Sequence, residues 1–181
     1  MMKLLVSLLL ILVPFFVTSC DNEKKKQTKI DLKEVIKTNN AYANINWINI
    51  EDLDALMAKE AKKVMIFFYR PGCPYCEEMK NTSLTDPNII KLINDNFYAV
   101  MFNGRSKETT VFNGIKYSNK EQKIDVPSNH ELHQKLVDPY NGNIYWPSTV
   151  FLNENYQKLR SYPGLQKTAQ FPRILQNMIK R

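Results

Sequence analysis

Val64-Met65-Ile66-Phe67-Phe68-Tyr69-Arg70-Pro71-Gly72-Cys73-Pro74-Tyr75-Cys76 is the stretch on which the reading of the whole chain turns. Six apolar or aromatic residues in a row read as a buried strand. Arg70, Pro71 and Gly72 break it. Cys73 and Cys76 follow, three apart, where a helix can begin. A Cys-x-x-Cys at a strand-to-helix junction is a redox motif, because a helix N-terminus stabilises a thiolate.

The chain has 181 residues, enough for one domain and an attachment. Hydrophobic residues make up 44% and charged residues 24%, an ordinary globular mixture. The formal charge of +7 is spread along the chain: seven Lys stand against four acidic residues in 1–40, and eighteen Lys/Arg against fourteen acidic residues in the remainder. A nucleic-acid surface clusters Lys and Arg with aromatics. No such cluster occurs, so no nucleic-acid partner is expected. Cys20, Cys73 and Cys76 are the three cysteines, an odd count that asks for an explanation.

The N-terminus offers one. Met1-Met2-Lys3 is a short basic start, and Leu4 to Val17 is an apolar run interrupted by Ser7 and Pro14. That run is short of the roughly 20 residues of a membrane span and fits the hydrophobic region of a secretory signal. It ends in Val17-Thr18-Ser19-Cys20, which resembles the bacterial lipobox. The resemblance implies that 1–19 is a lipoprotein signal peptide, cleaved before Cys20, and that the Cys20 thiol carries lipid. Diacylation gives stable attachment to a lipid membrane, which a single chain barely provides. Residues 20–40 then read as a lipid-anchored tether and 41–181 as the folded domain.

Within the domain, Ile45–Ile48 reads as a first strand, and Asn49 as a cap for a helix that buries Leu53, Leu56 and Met57. After Val64–Tyr69 and the Cys-Pro-Tyr-Cys helix, Asp86-Pro87 is a cap followed by a proline at the first helical position. That helix buries Ile89, Ile90, Leu92 and Ile93. Phe97–Phe102 is another apolar strand. Strands and helices alternate up to this point, which favours parallel pairs with crossover helices. Asn113-Gly114 between apolar runs predicts a hairpin, and Ser128 a capped short helix through Leu136. Ile144–Leu152 reads as a strand entered through Pro147, with Gln157–Tyr162 as its antiparallel partner. Thr168 reads as the cap of a last helix burying Phe171, Ile174, Leu175 and Met178, with Pro172 in its first turn.

This order of elements resembles the thioredoxin fold: α/β, a central mixed sheet flanked by helices. Its carriers are the strand Val64–Tyr69, Cys73-Pro74-Tyr75-Cys76 at a helix start, and Trp146-Pro147-Ser148-Thr149 ahead of a strand hairpin and a terminal helix. The resemblance extends over about 43–181. It implies that Pro147 is a cis-proline facing the dithiol. Residues 104–146 exceed a plain thioredoxin and look like an insertion before the cis-proline strand. Thr82-Ser83-Leu84-Thr85-Asp86-Pro87-Asn88-Ile89 and Asn94-Asp95-Asn96-Phe97 look like exported thioredoxin-related proteins, similar to the periplasmic C-terminal domain of the transmembrane disulfide reductase. The departures are Phe67 where cytosolic thioredoxins bury an Asp, Gly72 in place of Trp, and Pro74-Tyr75 between the cysteines, as in glutaredoxins.

The resemblance implies a thiol–disulfide oxidoreductase at the periplasmic face of a bacterial membrane. It would exchange, and by its nearest likeness reduce, disulfides of exported proteins, fed by a membrane or periplasmic electron donor. No cofactor is expected beyond the redox-active pair Cys73–Cys76. Only a thiolate attacks a disulfide. Cys73, at the helix N-terminus, is the expected nucleophile. Cys76, one turn on and expected to be more buried, is the resolving cysteine. Pro74, Tyr75 and Trp146 are the expected substrate contacts. Glu77 and Glu78 are carboxylates near enough in sequence to serve Cys76, though such residues usually face solvent. An alternative stays open. Two thiolates also bind copper or zinc, and His130 and His133 stand three apart on a helix, so a copper carrier is the rival reading.

Overall fold

The computed structural model describes residues 44–181. Cys20, the signal segment and the tether lie outside the described residues.

Alternation along Lys63–Tyr69 (β2) explains the architecture. Met65 and Phe67 enter one apolar cluster, whereas Val64, Ile66 and Phe68 enter another on the opposite face. Both faces are covered, which is why the sequence shows a continuous apolar run. Trp47–Ile48 (β1), Phe97–Asn103 (β3), Ser148–Leu152 (β6) and Lys158–Pro163 (β7) complete a five-stranded sheet in the order β1-β3-β2-β6-β7. The pairs β1–β3 and β2–β3 are parallel; β2–β6 and β6–β7 are antiparallel. The mixed sheet expected from the sequence is therefore present. β1 is shorter than expected, covering only the last two residues of Ile45–Ile48.

Three helices cover the first face. Pro74–Asn81 (α2) brings Met79, Pro87–Asn96 (α3) brings Ile89, Ile90 and Ile93, and Phe171–Ile179 (α5) brings Phe171, Leu175 and Met178. Leu92 and Ile174 pack beside this cluster only partly buried. The α3 start is as expected: Asp86 accepts hydrogen bonds from the N–H groups of Asn88 and Ile89 at 2.9 and 3.1 Å, and Pro87 follows.

The second face is covered by Leu53–Lys59 (α1), by Glu131–Leu136 (α4) and by the hairpin of Thr110–Phe112 (β4) and Ile115–Tyr117 (β5). Asn113 and Gly114 turn that hairpin at φ 50° and 68°, a conformation open to Asn and Gly. So 104–146 forms its own small sheet and helix over the main sheet. Asn49 caps a 3₁₀ turn ahead of α1, accepting from the Glu51 N–H.

Two expected caps are not caps. Ser128 does not start α4: its hydroxyl donates to Asn119 Oδ1 at 2.6 Å and accepts from Lys107 Nζ at 2.8 Å. His130 takes the cap position, its Nδ1 accepting from the Leu132 N–H at 3.2 Å. Thr168 lies in a turn before α5, with its hydroxyl 3.3 Å from that of Ser83.

Candidate active site

The register places three strand ends together. Tyr69 ends β2 opposite Asn103 of β3, and Phe68 pairs with Ser148, the first residue of β6. The segments after β2, after β3 and before β6 therefore meet at one end of the sheet. These are Arg70–Cys73, Gly104–Arg105 and Trp146–Pro147. The Gly104 N–H donates to the Tyr69 carbonyl at 2.8 Å, which stitches two of them together.

Gly72 turns the chain out of β2 at φ 67°, where a side chain is strained. Cys73 follows as the N-cap of α2, and Pro74 occupies the first helical turn, where a missing N–H costs nothing. Cys73 and Cys76 are joined by a disulfide, with Cα atoms 5.2 Å apart. The Cys76 N–H donates to Cys73 Sγ at 3.2 Å, and the Cys73 carbonyl accepts from the N–H groups of Cys76 and Glu77. Exposure differs less than the sequence reading assumes: Cys73 is 2% exposed and Cys76 fully enclosed. Pro74 lies on the surface, and Tyr75 beside it is 60% exposed.

The Trp146–Pro147 bond is cis, as the resemblance implies. Pro147 is buried, and its carbonyl accepts from the Gly164 N–H at 2.8 Å. Trp146 is half-buried. Its ring stacks on the His133 imidazole at 4.3 Å between centroids and 5° between planes. Gly104 fits beneath both rings: a Cβ there would stand 2.5 Å from Trp146 Cη2 and 2.8 Å from His133 Cδ2.

The two histidines, offered by the sequence as partners of a metal-binding dithiol, are core residues. Both are fully enclosed. His130 packs edge-on to Phe102 and places Nε2 3.0 Å from the Glu108 carbonyl. His133 packs edge-on to Phe68, and neither of its ring nitrogens has a hydrogen-bond partner among the described residues. Burial, then the charges of His130 and Arg105, lower the His133 pKa to about 4. Burial likewise lowers that of His130. Among the described residues no three His, Cys, Asp or Glu side chains gather as metal ligands would.

Phe67 fills the place of the buried Asp. It is wholly enclosed, 6.5 Å from the Trp47 ring and stacked with Tyr69 at the same distance. Glu78 faces solvent. Glu77 is half-exposed and pairs with Lys80 at 3.0 Å. Lys80 was not singled out in the sequence, yet it is only 5% exposed and lies 4.3 Å over the Tyr69 ring. Its place four residues after Cys76 was the available signal. Arg105 and His133 were also missed in these positions, since nothing local in 104–146 announces what the fold packs against it.

A five-stranded mixed sheet with a dithiol at the start of the helix after its central strand, and a cis-proline at the same sheet end, defines a thioredoxin-type architecture. A family model described as thioredoxin-like domain matches residues 51–179, and the chain belongs to that family. Among solved structures, it is similar to a thioredoxin from Thermus thermophilus at 20% identity, covering 75% of this chain and 87% of that one with a TM-score of 0.51. A thioredoxin-fold protein from Helicobacter pylori matches at 21% identity over 66% and 70% of the two chains, TM-score 0.50. A structure described as DsbH oxidoreductase matches at 16% identity over 80% and 92%, TM-score 0.50. At such identities the likeness speaks for the fold. No curated protein matches the chain.

Proposed function

We propose that the chain is a thiol–disulfide oxidoreductase, exported and held at a membrane through lipid on Cys20, that reduces disulfides of other exported proteins. The observation that carries this reading is the setting of Cys73. Its sulfur sits at the N-terminus of α2 and accepts the Cys76 N–H. The same donor and the helix dipole stabilise a thiolate once the pair is reduced.

The cycle balances as follows. A thiol-type donor delivers two electrons and two protons to the Cys73–Cys76 disulfide. The Cys73 thiolate then attacks one sulfur of the target disulfide, and the other sulfur leaves as a thiolate that takes up a proton. Cys76 loses its proton and attacks Cys73 Sγ, which breaks the mixed disulfide and releases the second target thiol. With Phe67 in the strand, the Cys76 proton leaves through solvent or through Glu77, the next residue on α2.

Insulin reduction by the purified protein tests the activity. We expect turnover in the wild type and its loss in Cys73→Ser. Exchange that survives in Cys73→Ser overturns the role of that residue. Copper(I) titrated in parallel decides against the rival: tight binding without disulfide exchange would make the protein a carrier. A Cys73–Cys76 potential below that of the glutathione pair is expected, and one above it reverses the direction of the reaction. The anchor is tested by incorporation of labelled fatty acid, which Cys20→Ser should abolish.

A further inference from the structure

Arg70 leaves β2 just before the dithiol turn, and Arg105 leaves β3 beside it. The Nε atoms of both are enclosed and have no hydrogen-bond partner. Among the described residues neither guanidinium joins a salt bridge. The two stand close enough that, after burial, the Arg70 charge is what depresses the Arg105 pKa. Shielded donors with no partner are costly, and two like charges held together add to that cost. The terminal guanidinium nitrogens are not among the enclosed atoms and have no hydrogen bond or ion pair among the described residues. Their forks match the two oxygens of a planar carboxylate, which would offset the paired positive charge.

The neighbouring surface suits a peptide. A cleft of about 450 Å³ opens beside Arg105, lined also by Pro71, Ile124, Val126 and Pro127. Ile124 is 92% exposed and Val126 37%. Lys107 also lines the cleft, but its ammonium is already bonded to the carbonyls of Glu121 and Val126 and to Ser128, holding this loop in place. Glu108 lines it too and pairs with neither arginine. Pro71 lies two residues before Cys73, so the cleft adjoins the dithiol.

We propose that Arg70 and Arg105 bind the carboxylate of an Asp or Glu near the target cysteine, while apolar residues beyond it lie against Ile124, Val126 and Pro127. The occupant is an extended segment of a disulfide-bearing protein. Arg70 precedes Cys73 by three residues, so at ~3.4 Å per residue their backbones stand at most about 10 Å apart, and the acidic residue falls within about four positions of the target cysteine. The proposal rests on the oxidoreductase reading and adds a sequence preference to it.

The test uses two synthetic peptides, each in mixed disulfide with a neutral thiol and differing only by Glu or Gln three residues from the cysteine. Reduced protein is mixed with each, and the second-order rate of reduction is measured. Wild type should favour the Glu peptide by about tenfold at low salt, and the preference should shrink as salt rises. R70Q and R105Q should each bring the ratio towards one. Lys180→Gln, the same charge change at the end of α5, should keep the preference. Equal rates for both peptides in the wild type overturn the subsite and leave the oxidoreductase reading standing. So does a preference that persists in both arginine variants. If wild type reduces neither peptide faster than Cys73→Ser does, the oxidoreductase reading itself fails and the subsite falls with it.

Discussion

The two faces of the central sheet are covered by different means. On the first, α2, α3 and α5 lay apolar stripes on Met65, Phe67, Ala99 and Phe151. On the second, α1 shares the cover with residues 104–146, and there polar groups are drawn inside: Thr110, Asn119, His130 and His133 are all buried. Many of the bonds that hold them run from side chain to backbone. Asn119 donates to the carbonyls of Ser106 and Ser128, and Glu131 accepts from the Ser118 N–H at 3.0 Å. The first face is held mainly by area removed from water, which tolerates modest repacking, with Lys80, Ser83 and Gln166 the polar residues buried at its margin. On the second, Asn119 and His130 depend on polar partners in fixed places and lose much when a partner goes, whereas the ring nitrogens of His133 and the Thr110 hydroxyl are enclosed with none among the described residues.

The strongest challenge to this contrast is Phe67→Asp, which writes the cytosolic thioredoxin residue into the first face. Here the ring is fully enclosed against the aromatic side chains of Trp47 and Tyr69. Loss of the ring and burial of an acid should together cost about 5 kcal/mol. Urea unfolding at pH 7 measures it. A loss under about 1 kcal/mol would show that the first face accepts polar groups as the second does.

Next in size is the pH response of the second face. The folded His133 pKa, lowered to about 4, lies below the ordinary 6.5. The unfolded chain therefore takes up a proton first as pH falls. Stability is full above about 6.5 and declines down to about 4, by on the order of 3 kcal/mol in all, then levels off for this group. His130 shifts in the same direction and adds to the slope. Urea midpoints across this range should fall less steeply in His133→Leu. An unchanged slope would remove His133 as its source.

The smallest effect concerns the fastening of the insertion. The Asp54 carboxylate accepts from the N–H groups of Asn113 and Gly114 at 3.1 and 2.9 Å and from the Tyr156 hydroxyl at 2.6 Å. Asp54→Ala should cost about 1–2 kcal/mol. Tyr156 has its pKa raised by burial first and by this bond second, so ultraviolet titration should find it moved part of the way back in the variant. If neither quantity changes, the hairpin is held by its apolar packing, Phe112 against Tyr156 and the second cluster, and not by Asp54.

The same contrast governs what the sequence could reveal. β2, the Asp86-Pro87 start of α3 and the Asn113-Gly114 turn were legible because each is decided within a few residues. Cys73, Cys76 and Pro147 were legible because their order and context resemble one fold. Ser128 and Thr168 misled because their hydroxyls were free in sequence but claimed by Asn119, Lys107 and Ser83 in space. The burial of the histidines was hidden for a related reason. Polar residues in a polar stretch read as surface, and only the sheet beneath 104–146 turns them inward. Arg70 and Arg105, 35 positions apart, meet only because β2 and β3 run parallel and end together.

The stack of Trp146 on His133 gives the molecule a built-in optical gauge. An imidazolium in face contact quenches indole emission more than a neutral imidazole does, and a nearby disulfide quenches as well. Trp47, the other tryptophan, lies against Phe67 in the opposite apolar cluster. One indole thus stands at the end of the sheet where the Cys73–Cys76 pair lies, and the other in the opposite apolar cluster. Emission from the unmodified protein can then follow both the protonation of a buried ring and the opening of the Cys73–Cys76 bond, without any attached dye.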